Sequence, residues 1–308
     1  MTSNALIWNP LAKADRMLVY YNSSKGNLGL RQWTDGEEGW GPVWAEKEES
    51  TKGNVLVGGG LTALQWRDWI RVYGITTVKD ATAGKEVNYI SLLSPVVQSL
   101  SIKTNYNRLT GSSDGKVKAY LYFFTAQQEP NNSSDPPVLN ERSLDNSSTK
   151  PLNKGLTIMK SPAGLSSIAA TYSLKTAKRW VFVQLENKEI VALNGASTES
   201  HTVTKDAKPG TPLAAVSFIE GEKEAVVVYY VRNTDGFLAR ASSLDAGATW
   251  SDVILEGAGV PTQETLSAAS KDSLKKIAVV FSAEDSTETQ IHVDEWEAIL
   301  KAPASDKP

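Results

Sequence analysis

The sequence predicts an all-β fold, a six-bladed β-propeller of four-stranded antiparallel blades. Two patterns predict it: a short strand with one small residue, followed by a β-branched and aromatic strand, each present six times in the 308 residues. Self-similarity at a spacing of tens of residues is typical of propellers, in which each repeat forms one blade. We therefore expect a single propeller over residues 1–301 and a C-terminal tail over 302–308.

The first repeated strand is predicted to be the innermost strand of each blade. Small side chains are expected where equivalent strands converge on an axis, because they let neighbouring backbones approach closely. An aromatic residue ends several of these strands, and such a repeated aromatic column is more often blade core than ligand wall. The third position of the strand holds Ala5, Ala63, Ser99, Ala169, Ala215 and Ala268.

The second repeated strand is predicted to lie next to the first. It reads Leu-Val-Tyr-Tyr over 18–21 and Arg-Val-Tyr-Gly over 71–74, and related tetrapeptides begin the same strand in the other blades. Aromatic and β-branched residues favour strands, so the third position is expected to form an apolar layer in each blade. That position is occupied by Tyr20, Tyr73, Tyr122, Phe182, Tyr229 and Val280.

The rest of the chain is less regular. The stretch from Gln127 to Lys154 is rich in Asn, Ser, Asp and Pro, which predicts a polar surface insertion or, as the functional alternative, a lid. Residues 293–301 have a helix-like composition.

Composition excludes several classes of protein. A formal charge of −3 and a pI near 5.6 give no electrostatic basis for binding nucleic acid or anionic membrane. The sequence has no cysteine, so disulfides and zinc-thiolate sites are impossible. It shows no metal-site or phosphate-loop motif, no signal peptide and no span of about 20 apolar residues. We therefore expect a soluble, cytoplasmic protein without metal or cofactor.

The blade unit resembles the fungal fucose-specific lectin family of six-bladed propellers. The resemblance rests on the small-residue strand, the Arg-Val-Tyr strand and a later Trp, as in Gly39-Trp40 and Thr249-Trp250. It implies fucose sites between adjacent blades. Each would use an arginine that opens the second-strand motif, a glutamate or glutamine on the third strand, and aromatic residues from the neighbouring blade. It also implies a possible homodimer.

The sugar ligands that the resemblance implies are largely replaced in this sequence. The arginine position falls on Leu18, Arg71, Tyr120, Trp180, Val227 and Ala278. The acidic position falls on Leu30, Tyr89, Glu141 (or Asn140), Ala192, Ala239 and Val293. Apolar side chains cannot supply the charge-assisted hydrogen bonds that hold a sugar. We therefore do not expect ordinary fucose recognition. We expect an apolar ligand, or a groove that is filled by side chains.

One hypothesis for the new task is an enzyme of fungal secondary metabolism. Lectin-like propellers that act as hetero-Diels-Alderases in tropolone-sesquiterpenoid biosynthesis resemble this chain, which implies joining a tropolone quinone methide to a humulene-type olefin without a cofactor. Such a reaction needs apolar partners held in place and a hydrogen-bond donor. The predicted catalytic residues are Arg71, His292, Tyr89 and Glu141. The predicted substrate-binding residues are Trp66, Trp69, Tyr120, Trp180, Tyr20 and Trp8.

Two alternatives remain open. A lectin of another sugar specificity would use Arg71 with Trp66 and Trp69 as its best surviving pocket. The lack of repeated sites argues against it, because such lectins gain avidity from several equivalent sites. A propeller scaffold for a protein partner is the third possibility.

Overall fold

The computed structural model describes residues 3–10, 12, 15–34, 54–79, 84–125, 137–152, 156–158, 160–161, 164–197, 199–262, 265–283 and 289–301. Within these ranges the chain forms antiparallel strands and one short helix. Trp40 of the Gly-Trp motif and the predicted tail over 302–308 lie outside the described residues. The chain divides into two compact units, Met1–Pro151 and Leu152–Pro308.

The first unit contains three sheets, which we name blades one to three. Blade one consists of β1 (Asn4–Trp8), β2 (Arg16–Asn22) and β3 (Leu28–Thr34). Blade two consists of β4 (Leu61–Trp66), β5 (Trp69–Lys79), β6 (Glu86–Ser94) and β7 (Gln98–Thr104). Blade three consists of β8 (Leu109–Ser113), β9 (Ala119–Thr125), β10 (Val138–Ser143) and β11 (Thr149–Pro151).

The second unit contains blades four to six and a two-stranded ribbon, β12 (Lys160–Ser161) with β13 (Gly164–Leu165). Blade four consists of β14 (Ile168–Tyr172), β15 (Arg179–Gln184), β16 (Ile190–Asn194) and β17 (Ser200–Thr204). Blade five consists of β18 (Ala214–Glu220), β19 (Lys223–Val231), β20 (Leu238–Ser243) and β21 (Ser251–Ile254). Blade six consists of β22 (Ser267–Lys271), β23 (Lys276–Ser282) and β24 (Thr289–Glu295), followed by α1 (Trp296–Leu300).

The hydrophobic core of each unit lies between neighbouring blades. In the first unit, Tyr20 of blade one packs with Val72 of blade two, and Tyr73 of blade two packs with Leu121 of blade three. In the second unit, Phe182 packs with Val228, and Tyr229 packs with Phe281. Side chains alternate between the two faces of a strand, so every blade buries both faces of its central strands. This explains the continuous apolar runs in β15, β19 and β23.

The second-strand motif defines one structural position in all six blades. Its first and third residues lie on the same face because they are two residues apart. In blades one, two, four and five that face packs against the following blade, as the core contacts of these positions demonstrate: Leu18, Tyr73, Trp180 and Val227. Arg71 therefore shares its position with these residues, as the sequence alignment of this strand predicts.

The predicted inner strand of blade three is wrong. Gln98–Thr104, which contains Ser99, is the outermost strand of blade two. The inner strand of blade three is β8, and its small residue is Gly111. A Cβ on Gly111 would lie 2.9 Å from the carbonyl oxygen of Tyr120 and 3.0 Å from Leu64 Cδ1. The inner strand of blade three therefore does require a small residue, but at Gly111, twelve residues after Ser99.

The small residues of the inner strands do not share one face. Ala5 and Ala169 pair with the aromatic residues Tyr20 and Phe182, whereas Ala63 and Ala215 pair with valines of the neighbouring strand. A shift of one residue turns a side chain to the opposite face. The predicted column of small residues is therefore not one structural position, because its members lie on different faces of their blades.

The polar stretch from Gln127 to Lys154 is only partly the predicted insertion. Residues 126–136 and 153–155 lie outside the described residues. Between them, β10 and β11 form the third and fourth strands of blade three. Of the helix-like stretch 293–301, only Trp296–Leu300 is helical (α1), since 293–295 end β24. Trp296 stacks on Phe218 with ring centroids 4.1 Å apart.

Among the described residues, no helix has the length and apolar character needed to cross a membrane.

Candidate functional site

The candidate site is built on the tight hairpin between β4 and β5. Trp66 and Trp69 are Cα partners, and the two residues between them, Arg67 and Asp68, have φ values of 50° and 63°. Two central residues with positive φ are typical of a type I′ turn, whose twist matches that of antiparallel strands. Paired residues project from the same face of a sheet, so both indoles lie on the face that packs toward blade three.

Blade three fixes this hairpin in place. Trp66 donates a 2.9 Å hydrogen bond from Nε1 to the carbonyl oxygen of Val117, and the Arg67 backbone N–H donates to that of Lys116 at 2.8 Å. The Ser113 hydroxyl donates to the carbonyl oxygen of Gln65 at 2.6 Å. The Trp66 side chain is 7% exposed, so this indole is a rigid part of the boundary between blades two and three.

Two arginines contact the Trp66 ring. The guanidinium carbon of Arg71 lies 4.6 Å from the ring centroid and that of Arg67 lies 4.8 Å from it. Both distances lie within the range of a cation–π interaction. Neither arginine forms an ion pair with another described residue. The surface salt bridge that is the ordinary alternative for Arg71 is therefore not found within the described part of the chain.

Arg71 keeps an unused donor. Its Nε is buried, and no described residue accepts a hydrogen bond from it. The guanidinium group contacts the phenol of Tyr73, two residues along the same face. Burial raises the pKa of the Tyr73 phenol, and the positive charge of Arg71 opposes that rise. Tyr73 therefore stays neutral, and the Nε–H of Arg71 has no acceptor among the described residues.

Trp69 provides the accessible surface of the site. Its side chain is 60% exposed, although it is one of the largest apolar residues in the chain. An exposed indole offers a flat aromatic surface with a polar N–H, and tryptophan is enriched at binding surfaces. Trp66, Trp69 and Arg71 are thus the predicted site residues that the structure brings together.

Tyr89 does not join this group. It lies on β6 opposite Thr76 and is one residue out of phase with Ile90, which packs into the core shared with blade three. Its side chain is therefore on the other face of blade two. The Nζ of Lys103 lies 6.0 Å from the Tyr89 ring centroid on that face.

In blade four the equivalent of Arg71 is a fully buried tryptophan. Trp180 is 0% exposed, and Lys178 Nζ lies 5.0 Å from its ring centroid. His201 contacts it edge to face at 5.8 Å. A Cβ on Gly247, which has a φ of 91°, would lie 2.6 Å from the ring. An indole thus occupies the position to which the resemblance assigns an arginine.

A buried polar network lies between blades five and six. The guanidinium group of Arg240 pairs with the carboxylate of Asp294, and the hydroxyl of Tyr229 donates to the same carboxylate at 3.0 Å. Arg240 also donates to the carbonyl oxygen of Ala298 at 3.1 Å. Burial and the neighbouring carboxylate raise the pKa of Tyr229 well above its ordinary value. Because its charged groups are buried and paired with each other, we interpret this network as stabilising the fold.

His292 lies on β24, two residues before Asp294 and on the same face. It is half-buried, and burial lowers the pKa of its imidazole; Asp294 opposes that shift and Arg240 adds to it. His292 is therefore neutral near pH 7. It belongs to blade six, whereas Arg71 belongs to blade two.

The remaining predicted residues lie on blades one and three. Glu141 is 3% exposed and its carboxylate lies 3.4 Å from Lys150 Nζ. Tyr120 lies on β9 and pairs with Ser143. Tyr20 packs in the core between blades one and two, where burial raises the pKa of its phenol. Trp8 is on the opposite face of blade one and contacts Trp33 edge to face at 6.1 Å.

Sequence reasoning missed two arginines. Arg67 follows Trp66 in a two-residue turn, and the pattern of two strand-like tryptophans separated by a charged pair could have indicated the hairpin. Arg240 is next to Ala239, the residue assigned to the third-strand ligand position in blade five. The structure pairs Arg240, and not Ala239, with Tyr229.

No cluster of three or more His, Asp or Glu side chains suited to a metal ion occurs in the described ranges.

No protein-family model matches the chain. A fucose-specific lectin from Arthroderma benhamiae is 28% identical over 106 residues, which cover 33% of this chain and 28% of that lectin's length. The match thus spans less than a third of that lectin's length.

Solved structures match over nearly the whole chain. The six-bladed lectin of Aleuria aurantia, described with a fucose recognition mode, has a TM-score of 0.62 at 16% identity, covering 98% of this chain and 97% of the lectin. The structure of AofleA from Arthrobotrys oligospora has a TM-score of 0.63 at 14% identity, covering 96% of this chain and 83% of the other. At this identity the likeness establishes the fold. The chain is therefore a six-bladed β-propeller similar to fungal fucose-binding lectins, with three or four antiparallel strands described in each blade.

Proposed function

We propose that the chain binds a carbohydrate at one site, formed by Trp66, Trp69 and Arg71 between blades two and three. The observation that supports this most directly is the buried, unpaired Nε of Arg71 next to Trp66 and the exposed Trp69. A sugar ring would stack on the exposed indole while one of its oxygens accepts a hydrogen bond from the guanidinium group.

The similarity to lectins supports the same proposal. The relatives named above include a fucose-specific lectin and a lectin with a described fucose recognition mode. Arg71 occupies the position that the resemblance assigns to the sugar-binding arginine, and Trp180 and Val227 occupy the same position in other blades. The proposal is therefore a lectin with a single site and altered specificity.

The test is a glycan-array screen of the purified full chain, followed by calorimetric titration with the best ligand. We expect binding with a stoichiometry near one per chain. Trp69→Ala and Arg71→Gln should each weaken it at least tenfold. Phe237→Ala is the matched control, since Phe237 is also a large exposed apolar residue, 49% exposed, but lies in the second unit. Failure of every saccharide to bind would overturn the proposal.

A second candidate uses the same residues for hetero-Diels-Alder catalysis. The observation that favours it is the position of Arg71 beside an indole. Among the described residues, its Nε–H has no acceptor and no carboxylate forms an ion pair with it. A quinone methide could stack on Trp69 while Arg71 donates to its carbonyl oxygen as negative charge develops there. The cycloaddition forms one carbon–carbon and one carbon–oxygen bond and releases nothing, so positioning supplies most of the rate gain.

The assay for this candidate mixes a tropolone quinone-methide precursor with humulene and measures adduct formation and its stereochemistry. Accelerated, stereoselective adduct formation that Arg71→Gln abolishes would favour the enzyme. A rate equal to the background reaction, together with saccharide binding, would leave the lectin and reject the cycloaddition. The predicted roles of His292, Glu141 and Tyr89 can be tested in the same assay by single substitutions.

A further inference from the structure

We propose that the ligand of the Trp66–Trp69–Arg71 site is an acidic saccharide, one with a carboxylate on its ring such as a uronic acid. This inference rests on the proposed carbohydrate-binding function and specifies its ligand. It follows from the donors and acceptors that the site presents.

The site presents donors and positive charge. Arg67 and Arg71 both lie within 5 Å of the Trp66 ring centroid, at 4.8 Å and 4.6 Å. A guanidinium group has donors only and no acceptor. Two like charges placed on one ring are favoured only when an anion or solvent compensates them.

The nearby carboxylates do not provide that compensation. Asp114 accepts hydrogen bonds from the backbone N–H groups of Lys116, Val117 and Lys118 at 2.8 to 2.9 Å, so it closes the β8–β9 turn. Asp68 lies at the tip of the β4–β5 hairpin and forms no ion pair with either arginine. The positive charge at Trp66 therefore lacks a carboxylate partner among the described residues.

A neutral sugar fits this arrangement less well than an acidic one. Sugar hydroxyls both donate and accept, and the fucose-lectin resemblance implies a carboxylate or amide that accepts from them. In blade two the residue aligned with that acceptor is Tyr89, which lies on the opposite face of the sheet. A ligand carboxylate only accepts, and its planar shape suits a guanidinium group in a bidentate contact.

The exposed Trp69 completes the recognition of a saccharide. A carboxylate alone would require the arginines but not an exposed indole. The apolar face of a pyranose ring requires a flat aromatic surface, which the 60% exposed side chain of Trp69 supplies. The combination of a stacking surface with two guanidinium groups that have no carboxylate partner among the described residues thus points to a pyranose ring that has an anionic substituent.

The experiment compares matched ligand pairs by calorimetric titration: methyl glucuronide against methyl glucoside, and galacturonic acid against methyl galactoside. We expect the acid of at least one pair to bind at least tenfold more tightly. The preference should fall with added salt, because screening weakens the charge contact. Arg71→Gln and Arg67→Gln should each reduce the preference, whereas Lys103→Gln, which removes a charge on the opposite face of blade two, should not.

The outcomes separate this inference from the function on which it rests. A neutral sugar that binds as tightly as its acid, with the affinity lost in Trp69→Ala, would overturn the acidic ligand and leave the carbohydrate site. No binding of any saccharide, acidic or neutral, would overturn both. A preference for the acid that Arg71→Gln and Arg67→Gln leave unchanged would also overturn the inference, because another group would then hold the carboxylate. Circular dichroism spectra and thermal midpoints of each variant establish that it is folded.

Discussion

The hydroxyl of Tyr229 donates a 3.0 Å hydrogen bond to Asp294, and this contact joins blade five to blade six inside the second unit. The same carboxylate pairs with Arg240, which is 3% exposed. A buried charge is tolerated only when it is paired and hydrogen-bonded. The three side chains therefore form one polar unit within an apolar boundary that also contains Phe281 and Trp296.

Removing one member of this ion pair should strongly destabilise the protein. For Asp294→Ala we expect a loss of about 3–5 kcal/mol in the free energy of unfolding, because Arg240 would remain buried without its partner. Urea denaturation monitored by tryptophan fluorescence measures it. The surface variant Glu220→Ala, which removes the exposed partner of Lys275, should cost less than about 1 kcal/mol. Similar losses in the two variants would contradict the buried pair.

Stability should fall in acid partly because of His292. Burial lowers the pKa of its imidazole in the folded protein, so the unfolded chain binds a proton more readily. The stabilisation that neutral His292 contributes is complete above the unfolded pKa of about 6.5 and is lost as the pH falls below it.

His292→Gln tests this pH dependence, because glutamine keeps the polarity of the side chain and does not titrate. We expect wild type to lose more unfolding free energy between pH 7.5 and pH 5 than the variant does. Groups whose pKa is lowered in the folded state, such as Asp206 and Glu199, also destabilise in acid, but they act equally in both proteins. Parallel pH profiles would contradict the prediction.

The close approach of Gly247 to Trp180 predicts an unequal effect of two similar substitutions. A Cβ on Gly247 would lie 2.6 Å from the indole and the residue has a φ of 91°, whereas Gly257 has a φ of 76° and open space around it. Both alanine variants incur backbone strain, of about 1 kcal/mol or more. Gly247→Ala should lower the thermal midpoint further than Gly257→Ala does, because it must also displace Trp180. Equal shifts would argue against a tightly packed indole.

Introducing an arginine in blade four should not create a sugar site. Trp180→Arg would place a charge where the side chain is 0% exposed and where Lys178 already lies over the ring. We expect a destabilisation of several kcal/mol and no gain in fucose binding. Chemical denaturation and a fucose-conjugate binding assay provide the two measurements. A stable variant that binds fucose would reveal a groove that is merely occupied and can be reopened.

The ten residues predicted for the site divide by blade and by face. Arg71, Trp66 and Trp69 are close in sequence on two paired strands, so their proximity follows from a single hairpin. Tyr89 lies in the same blade but projects from the other face. His292 and Trp180 belong to different blades of the second unit, and nothing in their sequence surroundings indicates which blade face each side chain occupies.

The all-β class, the six repeats and the buried second strand could all be predicted from the pattern of residues. These follow from alternation and composition, which are local properties of a strand. The predicted apolar column at the third position of the second strand, from Tyr20 to Val280, is confirmed for that reason. Leu109-Thr110-Gly111, which repeats Leu61-Thr62-Ala63 with one conservative change, was also available as a signal for the inner strand of blade three.

The strand register, and with it the face on which each side chain lies, could not be predicted in the same way. Ser99 and Gly111 are both small residues in polar strands, and pairing with β9 alone identifies Gly111 as the inner one. Arg240 and Ala239 differ by one position, which decides whether a side chain meets Asp294 or the opposite core. A one-residue shift changes nothing in composition but reverses every side chain, so it is settled by contacts between distant strands.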